Sequence, residues 1–230
     1  DNVDNGRRWV VNIKEQGQFA KNFFSHIDYT RISDNDYLRD LNTTSLSINR
    51  KTHLNQRAAF NFYGNHWTAG LNIQQYQTLN ENNPNIIKPF EKTPEFWLGY
   101  QSSATPFRLG SNLHLRHTAF DHDEFQAGAR DFGEININYP MQWGGIRLAP
   151  SIGVQHLAYQ LDRQWVDGKW ADDTPSITAP QAQIKLDMVF EKKGGTRSTL
   201  EPGIFYVYRD AEQQDTFPLF DTDLLTFNRN

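Results

Sequence analysis

The sequence predicts an all-β chain: an antiparallel up-and-down transmembrane β-barrel segment of about ten long strands, with short turns at one rim and long loops at the other. Three observations carry that expectation. Apolar and polar residues alternate with period 2 along nearly the whole chain. Most of the alternating runs exceed the usual soluble strand of about 5 or 6 residues and match the roughly 9 to 11 or more of a tilted membrane-spanning strand. Short and long links alternate strictly between the runs.

The first pair of strands is predicted over residues 8–15 and 19–33, joined by a tight turn at Gln16-Gly17; Phe19, Phe23, Ile27 and Tyr29 keep one parity. Over 52–63, Leu54, Ala58, Phe60 and Phe62 face away from Asn55, Arg57 and Asn61, and over 66–79 Trp67, Ala69, Leu71 and Ile73 oppose Thr68, Asn72 and Gln74. Gly64-Asn65 joins these two. The next pair, 94–104 and 107–119, turns at Thr105-Pro106, with Phe96, Leu98, Tyr100, Phe107, Leu109, Leu113 and Leu115 on the apolar side and Arg108, Asn112, His114 and Arg116 opposite. Residues 125–139 and 145–161 follow, linked by Trp143-Gly144-Gly145, with Ile135, Ile137, Tyr139, Ile146, Leu148, Ile152 and Val154 apolar. The last pair, 180–192 and 198–209, turns at Gly194-Gly195. In each tight turn glycine or proline supplies the backbone dihedrals required. The long links are 34–51, 80–93, 120–124, 162–179 and the residues after Asp210.

Within the final strand, Leu200, Pro202, Ile204, Tyr206 and Tyr208 share one side, and Glu201, Phe205, Val207 and Arg209 the other. Proline lacks the N–H that a sheet ladder needs, so a local break in pairing is expected at Pro202. Aromatics give a further hint: Phe19, Phe62, Trp67, Phe107 and Tyr139 lie near short turns, as an aromatic girdle would, while Tyr29, Tyr100 and Tyr208 are expected nearer the long loops.

Composition bounds the function. With 23 Lys+Arg against 27 Asp+Glu the net charge is -4, which argues against a nucleic-acid binder. Cysteine is absent, removing disulfides, thiolate nucleophiles and Cys-ligated metals. No apolar run reaches the roughly 18 residues of a membrane helix, and no signal peptide is visible. A mean hydropathy of -0.72 suggests a soluble chain, an inference that fails for barrels, whose strands average lipid-facing and lumen-facing residues.

No phosphate loop, zinc motif or nucleophile elbow occurs, and Asp121-His122-Asp123-Glu124 reads as a solvated link rather than a metal site. No cofactor, metal or catalytic role is therefore assigned, and a non-enzymatic chain is expected. The polar parities are more informative. Arg57, Arg108, Arg116, Arg130, Glu134, Arg147, Lys185, Asp187, Glu191, Glu201 and Arg209 all fall there. A dry core cannot hold so many charges, whereas a hydrated lumen or an open surface can. Arg57, Arg108, Arg116, Arg147, Lys185, Asp187, Glu201 and Arg209 are thus the candidate lumen-facing binding residues.

Thr199-Leu200-Glu201-Pro202, then Phe205, Tyr206, Tyr208, Arg209 and Asp210, then Asp221 and Thr222, are similar to the mid-barrel signature of the LptD family, also called the organic solvent tolerance family. Asp28, Tyr29, Ser33, Asp34, Tyr37 and Asp40 look like an earlier segment of it, and PQAQIKLDMVFEK like the strand before the Leu-Glu-Pro strand. Gly203 departs from the pattern, standing where the family often has arginine. The resemblance implies an outer-membrane barrel that assembles lipopolysaccharide, with lipopolysaccharide, outer-membrane lipid and the plug lipoprotein LptE as partners. Residues 1–230 then form one partial barrel domain, an internal slice of a longer protein, with the periplasmic domain and remaining strands outside it. A generic porin and a soluble lipocalin-like binding module share parts of this pattern and stand as alternatives.

Overall fold

The computed structural model describes residues 8–34, 52–79, 83, 86–162, 165–166, 169–170, 174–192, 194, 198–210, 217–218 and 220–221. Ten strands follow one another in an up-and-down path: β1 (Val10–Ala20), β2 (Phe23–Ile32), β3 (His53–Tyr63), β4 (Trp67–Thr78), β5 (Glu91–Ser102), β6 (Gly110–Asp121), β7 (Gly128–Asn138), β9 (Ile146–Leu161), β12 (Ser176–Met188) and β15 (Gly203–Arg209). The short β8 (Met141–Trp143) adds to β9, completing an antiparallel sheet of 11 strands. Two small hairpins lie off it: β10 (Trp165–Val166) with β11 (Lys169–Trp170), and β13 (Phe190–Lys192) with β14 (Ser198–Leu200).

Register separates the two faces. One cross-strand row runs Phe62, Ala69, Leu98, Leu115, Gly133, His156, Thr178 from β3 to β12. The neighbouring row, one residue along each strand and hence on the opposite face, is Asn61, Gly70, Trp97, Arg116, Phe132, Leu157, Ile177. On the first face large apolar residues stand in the open: Ile152 is 65% exposed, Ile204 64%, Ile184 49% and Phe96 47%. A continuous exposed apolar surface of this kind costs too much in water and is what a lipid-facing wall presents.

Aromatics gather at the short-turn rim. Phe19 packs on Phe23 with ring centroids 6.0 Å apart, Phe23 on Phe62 at 5.0 Å, Trp67 on Tyr100 at 4.6 Å and Phe107 on Trp143 at 5.8 Å. Tyr100 therefore belongs to this rim and not to the long-loop side, because β5 ends only two residues later at Ser102. The small buried clusters lie at the other end. Ile32, Leu54 and Leu79 form one, and Phe120, Tyr159 and Phe220 the other.

Three local expectations change, and one holds. Strand β1 runs through Gln16 and Gly17, which pair with His26 and Ser25, and the turn falls at Lys21 and Asn22. Asn22 supplies the positive φ of 68° that a tight reversal needs, while Gly17 tolerates extended backbone. The turn at Thr105-Pro106 is wider, spanning residues 103–109, with Phe107 at φ 63°. Strand β12 begins at Ser176, inside the expected loop. Pairing does break at Pro202, as the missing donor requires: residues 201 and 202 belong to no strand, and across the break Met188 N donates to the Pro202 carbonyl at 2.9 Å. Tyr37, Asp40 and Thr222 lie outside the described residues.

Candidate functional site on the polar face

Strand alternation gives the second face a polar side chain at most positions, and antiparallel pairing brings those side chains within hydrogen-bond reach. Arg57 on β3 donates through Nε to Asn72 Oδ1 on β4 at 2.7 Å; Asn72 Nδ2 donates to Glu95 Oε2 on β5 at 3.4 Å; Arg116 Nε on β6 stands 3.8 Å from Glu95 Oε1. A parallel run links Gln74 to Asn55 at 2.9 Å and Asn55 to Asp28 at 3.0 Å. Charged and amide groups on five adjacent strands, β2 to β6, thus satisfy one another, which is how a hydrated wall carries them without isolated charge.

Nearer the short-turn rim, Gln181 on β12 donates to Asn136 Oδ1 on β7 at 2.6 Å, and Asn136 in turn donates to Glu134. Gly153 on β9 makes room for this bridge: a Cβ there would run into Asn136 Oδ1 and lie 2.6 Å from the Ile135 carbonyl oxygen. Asn112, Glu134, Asn136, Ser151, Gln181 and Gln183 line a polar hollow of about 350 Å³.

Six of the eight predicted lumen-facing residues share this polar face. Arg57 and Arg116 belong to the network above. Lys185 Nζ stands 3.2 Å from Asp187 Oδ2, Arg147 lies opposite Asp187 in register, and Arg209 donates to Gln155. The other two are elsewhere. Arg108 sits in the turn after Pro106, where its own N–H closes onto the Thr105 carbonyl at 2.9 Å. Glu201 falls in the break that Pro202 imposes, between β14 and β15, and is exposed. Proline accounts for both departures.

A feature that alternation does not reveal closes the long-loop end of the face. Phe217, Phe220 and Asp221, beyond β15 in the chain, return to lie over β5, β6, β7 and β9. Phe220 stacks on Phe120 with centroids 4.4 Å apart, Phe90 meets its edge at 5.0 Å, and Phe217 packs on Tyr159 at 5.4 Å. Asp221 Oδ2 accepts from Lys92 Nζ at 2.7 Å, and its two oxygens accept from Arg130 Nη1 and Nη2 at 2.7 and 3.3 Å. The fork of an arginine suits such a bidentate grip. Burial pushes the Asp221 carboxyl up, but the hydrogen bonds from Arg130 and Lys92 outweigh it and hold the group below its ordinary 3.8. The sequence marks Arg130 as polar-facing, but only the fold places Asp221, 91 residues away, against it.

Two further groups have structural roles. His122 Nε2 donates to the Lys88 carbonyl at 2.8 Å, while Nδ1 accepts from the amides of Glu124 and Phe125 at 2.9 and 3.1 Å. The histidine thus organises its loop, and no group of three or more metal-ligating residues occurs among the described residues. On the apolar face, His117 Nδ1 lies 2.7 Å from Asp131 Oδ1, and His156 Nδ1 lies 2.8 Å from Thr178 Oγ1. Ionisable groups facing lipid are tolerated when paired in this way.

Comparison with known proteins agrees with the fold. The family model for LPS transport system D matches residues 6–230. The LPS-assembly protein LptD of Saccharophagus degradans is 30% identical over 96% of this chain and 27% of its own length. That of Hahella chejuensis is 29% identical over 98% of the chain and 29% of its length, and that of Bordetella pertussis 27% identical over 99% and 31%. The chain therefore spans less than a third of the length of these relatives. With a family model matched along nearly its whole length and an up-and-down antiparallel sheet bearing one apolar and one polar face, the chain belongs to the LptD family, LPS transport system D.

Proposed function

We propose that this chain is wall of an outer-membrane translocon that assembles lipopolysaccharide into the outer leaflet, by transport and insertion without covalent chemistry. Family membership places the chain in the cell outer membrane. The observation that carries the reading is the hydrogen-bonded polar face from Asp28 to Arg116, back to back with an apolar face whose isoleucines stand open. In a closed barrel the apolar face meets lipid and the polar face lines a wet lumen. Arg57, Arg116, Arg147, Lys185, Asp187 and Arg209 then line that lumen, residues 1–230 form part of a single barrel domain, and the plug lipoprotein LptE contacts the same wall.

Both charge signs occur along the lumen wall, which suits passage of a sugar chain bearing anions better than sorting of simple ions. The test is depletion of the protein that carries this chain. Newly made lipopolysaccharide is expected to stop reaching the cell surface; delivery at the normal rate refutes the reading. A porin predicts instead a steady open conductance from the purified protein, which the aromatic return segment over the polar face argues against.

A further inference from the structure

The return segment does more than cover the sheet, because of what it covers. Beneath Phe220 and Asp221 lie a cation pair on two different strands, Lys92 and Arg130, and an aromatic floor made by Phe120 and Tyr159. Arg130 also sits over the Phe120 ring, 5.0 Å from its centroid, and Lys92 at 5.9 Å. In register with Arg130 on the same face, Thr118 is 1% exposed and its Oγ1 has no hydrogen-bond partner among the described residues. A buried hydroxyl without a partner costs free energy until it is satisfied, so Thr118 Oγ1 leaves an open hydrogen-bonding group beside the cation pair.

We propose that Lys92, Arg130 and the Phe120–Tyr159 floor form a binding site for a phosphate monoester carried on an apolar chain, and that Phe220 and Asp221 occupy it as an internal stand-in until that ligand displaces them. The carboxylate of Asp221 holds the place of the phosphate, and the Phe220 ring that of the apolar chain. Arginine forks engage carboxylate and phosphate with the same geometry, so the exchange replaces like with like. Because the stand-in is tethered, its effective concentration is in the millimolar range or higher, and a free phosphate ion competes poorly. A phosphorylated amphiphile competes better, because its chain also takes the aromatic floor that Phe220 vacates. The proposal rests on the reading that the polar face is the transport surface, and makes the return segment a latch that the cargo class itself opens.

The test uses the full-length protein in detergent micelles, with Pro218→Cys as a reporter between the two anchoring rings and its labelling rate by a bulky maleimide as the readout. Asp221→Asn and, independently, Lys92→Gln are each expected to raise that rate about tenfold or more, one tenfold step being the scale of a lost charge-assisted hydrogen bond. Heat-modifiable gel mobility shows that each variant remains folded. Dodecyl phosphate is expected to accelerate labelling when the latch is intact and to add little in the Lys92→Gln protein. Dodecanol, and inorganic phosphate at equal concentration, are expected to have far smaller effects. An unchanged rate in both latch variants overturns the latch. Equal acceleration by dodecanol overturns the phosphate site, and equal acceleration by inorganic phosphate overturns it as a site for an amphiphile. These outcomes are independent of the depletion experiment, so failure of the latch and failure of the transport reading are told apart.

Discussion

Replacing Gly153 by alanine probes how the polar face is built. The added Cβ would run into Asn136 Oδ1 and come within 2.6 Å of the Ile135 carbonyl oxygen and 2.8 Å of Asn136 Cγ. The Asn136 side chain must leave, which breaks its bonds to Gln181 and Glu134, and Gln181 is only 8% exposed. Two lost hydrogen bonds cost about 1 kcal/mol each, more where a buried partner is left unsatisfied. The remaining clash is with backbone of the neighbouring strand, which cannot rotate away, and overpacking of that kind adds about 1–3 kcal/mol. The sum is about 3–5 kcal/mol, read as a lowered urea midpoint for the protein folded into phosphatidylcholine vesicles. In an Asn136→Ala background, where both hydrogen bonds are already lost, Gly153→Ala is expected to cost only about 1–3 kcal/mol more, from the Ile135 carbonyl. A Gly153→Ala protein within 0.5 kcal/mol or so of the parent, the usual range for a harmless surface change, refutes this account of the β7, β9 and β12 packing.

Three further outcomes follow from the same geometry. Ile184→Arg, on the exposed apolar face, is expected to cost about 2–4 kcal/mol near the bilayer midplane, whereas Gln183→Arg, one residue away on the polar face, is expected to cost under about 1 kcal/mol; equal costs in vesicle unfolding refute the assignment of faces. The Asp221 carboxyl is held below 3.8, so its contribution to the latch is complete above that value and is lost as the pH falls through the depressed one. The ratio of the Pro218→Cys labelling rate to that of the same cysteine in the Asp221→Asn protein, which cancels the pH dependence of the thiolate, is therefore expected to stay flat from about pH 8 to 5 and to rise only at more acid pH, and a rise of that ratio centred near neutrality refutes it. His122→Ala removes the acceptor for two amides and the donor to the Lys88 carbonyl, so hydrogen exchange of residues 122–125 is expected to speed up by at least about tenfold while β6 and β7 stay protected; unchanged exchange there overturns the role given to His122.

Period-2 alternation was enough to determine the class of fold, its ten long strands and the face on which each residue lies, because side-chain direction in a strand depends only on parity. Leu113, Leu115, Ile135, Ile137, Ile152 and Val154 needed no tertiary knowledge to be grouped on one face, and neither did Arg57 and Arg116 on the other. The break at Pro202 was equally local, since a residue without an N–H cannot serve the ladder whatever surrounds it. Arg108 shows the limit of parity: a turn consumed the strand end on which it was counted.

The tertiary structure decided what register and chain return decide. Pairing of β7 with β9 and β9 with β12 sets Gly153 behind Asn136 and brings Gln181 across to it. No alternation pattern encodes that, because each strand reads the same after a shift of two residues. The same holds for Asp221 between Lys92 and Arg130. The two cations are separated by 129 and 91 residues from the carboxylate, and nothing near Asp221 in the chain announces a partner. Local chemistry fixed the two faces of the wall; long-range pairing fixed which charges on the polar face meet, and those meetings make the site.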